Sequence, residues 1–506
     1  MSATFSSTPA SGSHRKARDM EPLTWSGALG AFLNPLMLAA VAVFILGFFA
    51  NLALTLAGQR AGEIVVNPDN TLTEIKTPVD YALNAMRYAV LLFVVCCLGY
   101  IIGGIALPTL EAKGIIGAMA ARLTPVWIAL VVTFALSITF KRRLGLYGKL
   151  FDSPIGMIGF GLVMFWIFSS VFAGMVATHG PIDVISQMRN EVPGSPLPTG
   201  EDGLYPYYLL GGDNLGRDVF SRMIFGGQEV LKITPVATLF AFMVGITLGL
   251  PAGYFGGKLD TLLTFIANLA LAFPVILLFF LLVTPEIVAA GVPQYMSMVL
   301  FIFPILFFAV LFNSRFSIQP MKRNILLALV LSIGGIGYLS LISDASDPDL
   351  PLIFRLWPEW LDLFDIQGNI LIVFVSVVFV NSPTVFRIVR GLVLDIKTRD
   401  YVAASTTRGE GPWYIMLWEI LPNARGPLIV DFCLRIGYTT ILLGTLGFFG
   451  LGVSPESPDW GSTINEGRRL LTIYPHPALP PALALMSLVL GLNLLADGLR
   501  EESLKD

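Results

Sequence analysis

An all-α polytopic membrane protein is the fold class predicted by this 506-residue sequence. Hydrophobic residues make up 55% and charged residues 13%, whereas a soluble surface needs a charged fraction of roughly 25%. Mean hydropathy is +0.74. Apolar runs near span length recur along the chain, and in hydrocarbon such runs must form helices that satisfy their own backbone groups. The net charge of −3 offers no basic field for nucleic acid. The bilayer is therefore the expected environment.

Residues 1–35 form a polar, Ser/Thr-rich segment with Arg15, Lys16 and Arg18. The next run, Leu36–Ala57, exceeds a usual signal-peptide core and reads as an uncleaved span. Further runs fall at Tyr88–Leu107, Thr124–Phe140, Pro154–Ala177, Ile233–Phe255, Leu263–Thr284, Tyr295–Phe312, Asn324–Ile342, Asn369–Phe386, Leu428–Phe449 and Pro477–Leu495. Lys and Arg concentrate in cytoplasmic loops. That rule puts Phe140–Lys149, the turn with Arg315, Lys322 and Arg323, and the stretch from Arg387 to Arg425 inside, and the acidic Ser343–Asp365 outside. Before Phe140 the rule conflicts with itself. Either the amino terminus is translocated or one early run does not cross, and Thr124–Phe140, the shortest, is the first to question.

Between two late spans lies "YVAASTTRGEGPWYIMLWEILPNA", Tyr401–Ala424. Asp400–Arg408 can form two turns with Tyr401, Ala404, Ser405 and Arg408 on one side. Gly409 and Gly411 permit a positive-φ elbow, and Pro412 suits the first turn of a second helix. Trp413, Met416, Leu417 and Ile420 share a face, and Pro422 ends the element. On these residues alone, an amphipathic helix that merely follows the membrane surface is the favoured reading over a working part.

The spacing A-A-S-x3-G-x12-P, with Leu421–Pro422 at its end, resembles the "EAA" loop of ABC-importer permeases. Ala403 stands where that loop has Glu, and Glu419 where it has a hydrophobe. Other blocks resemble the C-type permease subunit of dipeptide/oligopeptide/nickel importers: "LLGGDNLGRDVFSRMIFGGQ", "AGYFGGKLD", "LGFFGLGVSPESPDWG" and "NLLADGLRE". The resemblance implies a six-span ABC type I importer permease core in two parts, 142–284 and 369–506. It leaves residues 36–141 as an extra N-terminal transmembrane region and 285–368 as an inserted two-span membrane hairpin.

It also implies partners: a second, unlike B-type permease subunit, two ATP-binding subunits and an extracytoplasmic solute-binding protein. ATP and Mg²⁺ would bind in the partner ATPase, with no cofactor on this chain. Within the coupling loop 400–424, Tyr401, Ala404, Ser405, Arg408 and Gly409, with Leu421 and Pro422, are the expected ATPase contacts. Asp213, Asn214, Gly216, Arg217, Asp218 and Arg222, with Pro455 and Trp460, are the expected external contact or gate. From the residues alone, Asp213 or Asn214 reads as a helix cap with surface ion pairs along the helix after it.

Other chemistry finds little support. "AGYFGGKL" lacks the first Gly and the Ser/Thr of a nucleotide-binding loop, and no strand precedes it. Cys96, Cys97, Cys433 and the three His residues show no metal spacing, and no catalytic constellation is apparent. Polarity within the spans is expected from Asn268, Asn381, Ser382 and Thr384, with ionisable groups almost absent. That disfavours the alternative, a secondary transporter working without an ATPase, because such carriers place ionisable groups at mid-membrane.

Overall fold

The computed structural model describes residues 20–62, 64–66, 72–74, 76–198, 204–343, 350–355, 357–358, 368–451 and 456–503. Arg15, Lys16, Arg18 and Pro455 lie outside the described residues, as does most of Ser343–Asp365. The described chain is almost entirely helical, and ten of its helices are long and apolar enough to cross a membrane. An eleventh candidate, Gly257–Ala272 with Val275–Val283, is bent by 76°. Its break falls at Phe273–Pro274, where proline lacks an amide donor and holds its predecessor extended. The questioned early run belongs to a helix spanning Thr124–Arg143, so length gives no ground for excluding it.

Two compact units make up the chain. The first comprises residues 1–125 and 175–221. Its helices α1 (Gly30–Leu56) and α2 (Pro78–Ala106) pack in opposite directions, with Gly103 and Gly99 against Leu29 and Leu33, and Gly47 against Met86. Between them β1 (Ile64–Val66) and β2 (Leu72–Glu74) pair antiparallel. Helix α3 (Leu110–Arg122) follows, and Gly104 and Gly117 bring α2 and α3 into backbone contact. In the later segment β3 (Ser195–Pro196) pairs antiparallel with β4 (Tyr207–Tyr208).

The second unit comprises residues 126–174 and 222–506. Helices α4 (Thr124–Phe140), α5 (Gly145–Lys149), α6 (Pro154–Val171) and α7 (Ala173–Val176) lead to the long α8 (Val219–Phe255). The bent pair supplies α9 (Gly257–Ala272) and α10 (Val275–Val283). Next come α11 (Pro285–Ala289), α12 (Val292–Leu300), α13 (Ile302–Arg315) and α14 (Pro320–Ile342). Helix α15 (Gly368–Ile396) precedes the short α16 (Asp400–Thr407), α17 (Pro412–Tyr414) and α18 (Leu421–Asn423). Helices α19 (Arg425–Phe448), α20 (Trp460–Arg468) and α21 (Leu479–Ser503) complete it.

Small residues decide which of these helices touch. Water cannot drive association within a bilayer, so close packing carries more of the stability. Gly245, Gly249 and Gly253, spaced four residues apart, form a small-residue ridge on α8, and Val385, Val389 and Val393 of α15 pack against it. A Cβ at Gly249 would lie 2.9 Å from the Val389 side chain. The C-terminal end of α15 is pinned as well. Lys397 Nζ donates to the Gly253 carbonyl at 2.8 Å, and Arg390 Nη2 donates to Asp260 Oδ2 at 2.6 Å. The turn carrying "AGYFGGKLD" therefore anchors the helix that enters the loop at 400–424.

Candidate functional site

Helix α16 ends on Arg408, and Gly409 follows with φ +82°. The Gly409 amide donates to the Thr406 carbonyl at 3.0 Å, and the Glu410 amide to the Ser405 carbonyl at 3.2 Å. This is a Schellman closure, and its left-handed position is where glycine escapes the Cβ penalty. No atom lies within 4 Å of a Cβ built on Gly409, so backbone conformation, not crowding, selects glycine here. Gly411 differs from the sequence expectation. Its φ is −70°, and it serves as the extended residue before Pro412 at the start of α17.

The second arm is not a plain α-helix. Ile415–Ile420 form a π-helical turn between α17 and α18, and Pro422 continues the arm where termination was expected. Pro422 has no amide for an i−4 bond, and a widened turn accommodates the missing donor. The Asn423 side chain donates to the Glu419 carbonyl at 2.6 Å. The apolar face of the arm is not free to lie on a membrane surface either. Ile415, Met416, Leu417 and Ile420 are buried with Val389, Val393, Val402 and Leu428, whereas Trp413 is exposed. The apolar face of the arm is packed into protein.

The carboxylate missing at Ala403 is supplied from the opposite arm. Glu419 Oε1 accepts from Ser405 Oγ at 3.0 Å and from Arg408 Nη2 at 3.0 Å. Arg408 Nη2 also donates to Ser405 Oγ at 2.8 Å. Ser405 is thus buried within the elbow and leaves the expected docking surface, while Tyr401, Ala404, Arg408, Gly409 and Pro422 are exposed and Leu421 is half-buried. Burial pushes the Tyr401 hydroxyl above its usual range, with Arg399 opposing. On the other side, the Trp418 indole donates to Ser314 Oγ at 3.2 Å, and the Arg315 guanidinium lies 4.7 Å from the Trp418 ring centre. The loop therefore rests against the C-terminal end of α13.

The expected external residues are mostly interior. In the first unit Asp213 accepts from the Leu215 and Arg217 amides at 2.9 Å and pairs with Arg217 Nε at 2.6 Å. Both side chains are buried, so this is no surface ion pair. The cap of α8 is Asp218, which accepts from the Ser221 amide at 3.1 Å and the Ser221 and Thr178 hydroxyls at 2.6 Å. Asp213 instead closes the turn through Gly216, at φ +89°, and Asn214 is half-buried beside it. Nearby, burial pushes the Tyr205 hydroxyl up to about 12.

In the second unit Arg222 is fully buried. Its Nη2 donates to the Ser457 carbonyl at 3.0 Å and Thr463 Oγ1 at 3.2 Å and meets Glu466 at 3.6 Å. The Trp460 indole donates to the Met223 carbonyl at 2.8 Å and packs 5.0 Å from the Trp166 ring. Asp459 caps α20 through the Ser462 amide at 3.0 Å. These side chains build the loop that begins α20.

One group escaped the sequence expectation. Asp431 and Arg435 lie inside α19, so ionisable groups are present within a span. Arg435 Nε donates to Asp431 Oδ2 at 2.7 Å, and Arg435 Nη1 to Thr384 Oγ1 of α15 at 2.6 Å. The signal was legible: opposite charges four apart interrupt an otherwise apolar run.

The family described as binding-protein-dependent transport system inner membrane component matches residues 245–501, half of the chain. The chain belongs to that family. It is an ABC-importer permease, a multi-pass protein of the bacterial inner membrane. The permease is 29% identical over 295 residues to the glutathione transport system permease protein GsiD of Pectobacterium atrosepticum, covering 58% of this chain and 71% of that one. It is 27% identical over 345 residues to the dipeptide transport system permease protein DppC of Haemophilus influenzae, covering 68% and 88%. With the probable D,D-dipeptide transport system permease protein DdpC of Escherichia coli, identity is 25% over 352 residues, covering 69% and 87%. The matched residues of the permease include the glycine ridge of α8, the elbow at Gly409 and the pair in α19.

Proposed function

We propose that this permease forms half of the translocation path of an ATP-driven importer for peptides or peptide-like solutes and couples to an ATPase through residues 400–424. The observation that carries this reading is the construction of that loop. Its inner face is locked to α15 and α19 by Val402, Ile415, Met416 and Ile420, while Tyr401, Ala404, Arg408 and Gly409 stay open on the outside. A short element rigidly tied to two spans and free on its outer face transmits displacement instead of absorbing it.

The ATP-binding subunits would hold ATP and Mg²⁺, and this chain would do no catalysis. A B-type permease would complete the path, and an extracytoplasmic binding protein would deliver solute. The relatives named for glutathione and dipeptide transport support a peptide-like cargo.

Gly409→Asp tests the coupling. Space is open around Gly409, and the left-handed backbone costs a non-glycine residue only about 1–2 kcal/mol, so the variant should still insert and fold, yet it places a carboxylate where the ATPase is to pack. Affinity purification in mild detergent should recover ATP-binding subunits with the wild type and lose them with the variant. Equal recovery would remove the docking role, and recovery of the wild-type chain with no ATPase would favour a carrier that works alone.

A further inference from the structure

Arg435 lies ten residues from one end of α19 and thirteen from the other, about 15 Å and about 20 Å at the helical rise. Its charge therefore sits near the middle of the helix. Its pair with Asp431 is nevertheless not sealed, because 11% of the Arg435 side chain and 16% of the Asp431 side chain remain accessible. Tyr438, on the same helix face, is 61% exposed. Charges in the middle of an apolar span are unsuited to hydrocarbon and face protein or water.

The wall behind the pair is ordered. Asn381 Nδ2 donates to Thr439 Oγ1 at 3.2 Å, and the Thr439 and Thr238 hydroxyls meet at 3.3 Å. Arg435 directs Nε to Asp431 and Nη1 to Thr384 and Asn381, leaving Nη2 outside these contacts. A guanidinium fixed in this way presents Nη2 as a charged donor suited to a single carboxylate oxygen. The adjacent Asp431 repels a simple anion and tolerates a solute that brings an ammonium with its carboxylate, as a peptide does.

We propose that Arg435, braced by Asp431 and Thr384, is the subsite of the translocation path that receives the terminal carboxylate of a peptide-like solute, an inference resting on the importer reading above. The test is uptake of radiolabelled trialanine by the complete complex in proteoliposomes, with binding protein and ATP supplied. Arg435→Gln should co-purify with its subunits, yet uptake at saturating solute should fall at least about tenfold, the scale of a lost charged hydrogen bond. Arg435→Lys should fall between, since it keeps the charge and loses the bracing by Asp431 and Thr384 that aims it.

The exchange Asp431→Arg with Arg435→Asp should keep the pair neutral without restoring uptake. Full uptake by Arg435→Gln, or its restoration by the exchange, would overturn the subsite and leave a structural ion pair. Should Arg435→Gln fail to assemble, Arg435→Lys decides, and wild-type uptake in that variant would overturn the proposal. A wild-type complex that imports no trialanine would instead overturn the peptide-importer reading, and the subsite with it.

Discussion

At the residue scale, Glu419 shows how a departure from a pattern can be repaired from elsewhere in the chain. The sequence marks both Ala403 and Glu419 as misfits, and only the elbow shows that one offsets the other through Ser405 and Arg408. Arg408 is largely exposed, so its ion pair contributes about 0–1 kcal/mol. The buried hydroxyl contact contributes about 1 kcal/mol more. Glu419→Ala should therefore loosen the loop by about 1–2 kcal/mol, while Glu419→Gln, which keeps an acceptor for Ser405, should loosen it less. Hydrogen exchange of residues 400–424 measures the difference.

Asp459 carries a pH dependence. Burial holds its carboxyl above the usual value of 3.8, against hydrogen bonds from Ser462 and the charge of Arg222. Between the unfolded and folded values the folded state binds more proton, so this group's contribution falls as pH rises through that window and is level above it. Asp459→Asn keeps an acceptor for the Ser462 amide and has no charge to bury. Its stability relative to wild type should rise with pH from about 4 upward, measured by thermal unfolding in detergent. An unchanged difference across that range would contradict the assignment.

At the element scale, the segment between α10 and α15 stands in contact with the loop at 400–424. Phe307, Val310 and Leu311 of α13 pack against the cluster holding Ile415, Met416 and Leu417, and Arg315 stacks on Trp418. A helix in that position stiffens the second arm, whose π-turn and Pro422 weaken its own backbone ladder. Trp418→Ala should remove the stacking and the bond to Ser314, raising hydrogen exchange across residues 412–423 by about 2 kcal/mol of local opening free energy. Residues 401–408 should change less, because Val402 is anchored by α15. Equal loosening of both arms would mean that α13 supports the loop only indirectly. The sequence shows two apolar runs and a basic turn here. It does not show their neighbour, because periodicity reports that a helix has a buried face and not which helix fills it.

At the scale of the whole molecule, this chain holds part of a machine, and its behaviour alone should reflect that. Reconstituted into liposomes without partner subunits, it should accumulate no trialanine under a proton gradient. Accumulation there would revive the carrier that works without an ATPase. Class, span positions and family were legible in the sequence, because hydrocarbon demands runs of about 20 apolar residues and turn chemistry demands particular residues at fixed spacing. Gly409, Pro412 and the Lys/Arg-rich loops are local signals of that kind.

What the sequence left undecided was which polar residues face inward. Asp213, Arg217, Asp218, Arg222 and Trp460 read as an external contact or gate, and their side chains are buried within the chain. Asp431 and Arg435 went unnoticed and form an accessible charged pair in mid-span. By itself the sequence determined that this is a multi-pass importer permease with a glycine elbow between two late spans. Only the tertiary structure decided which charges are sealed and which stay open, because burial is a property of neighbours brought together from distant parts of the chain.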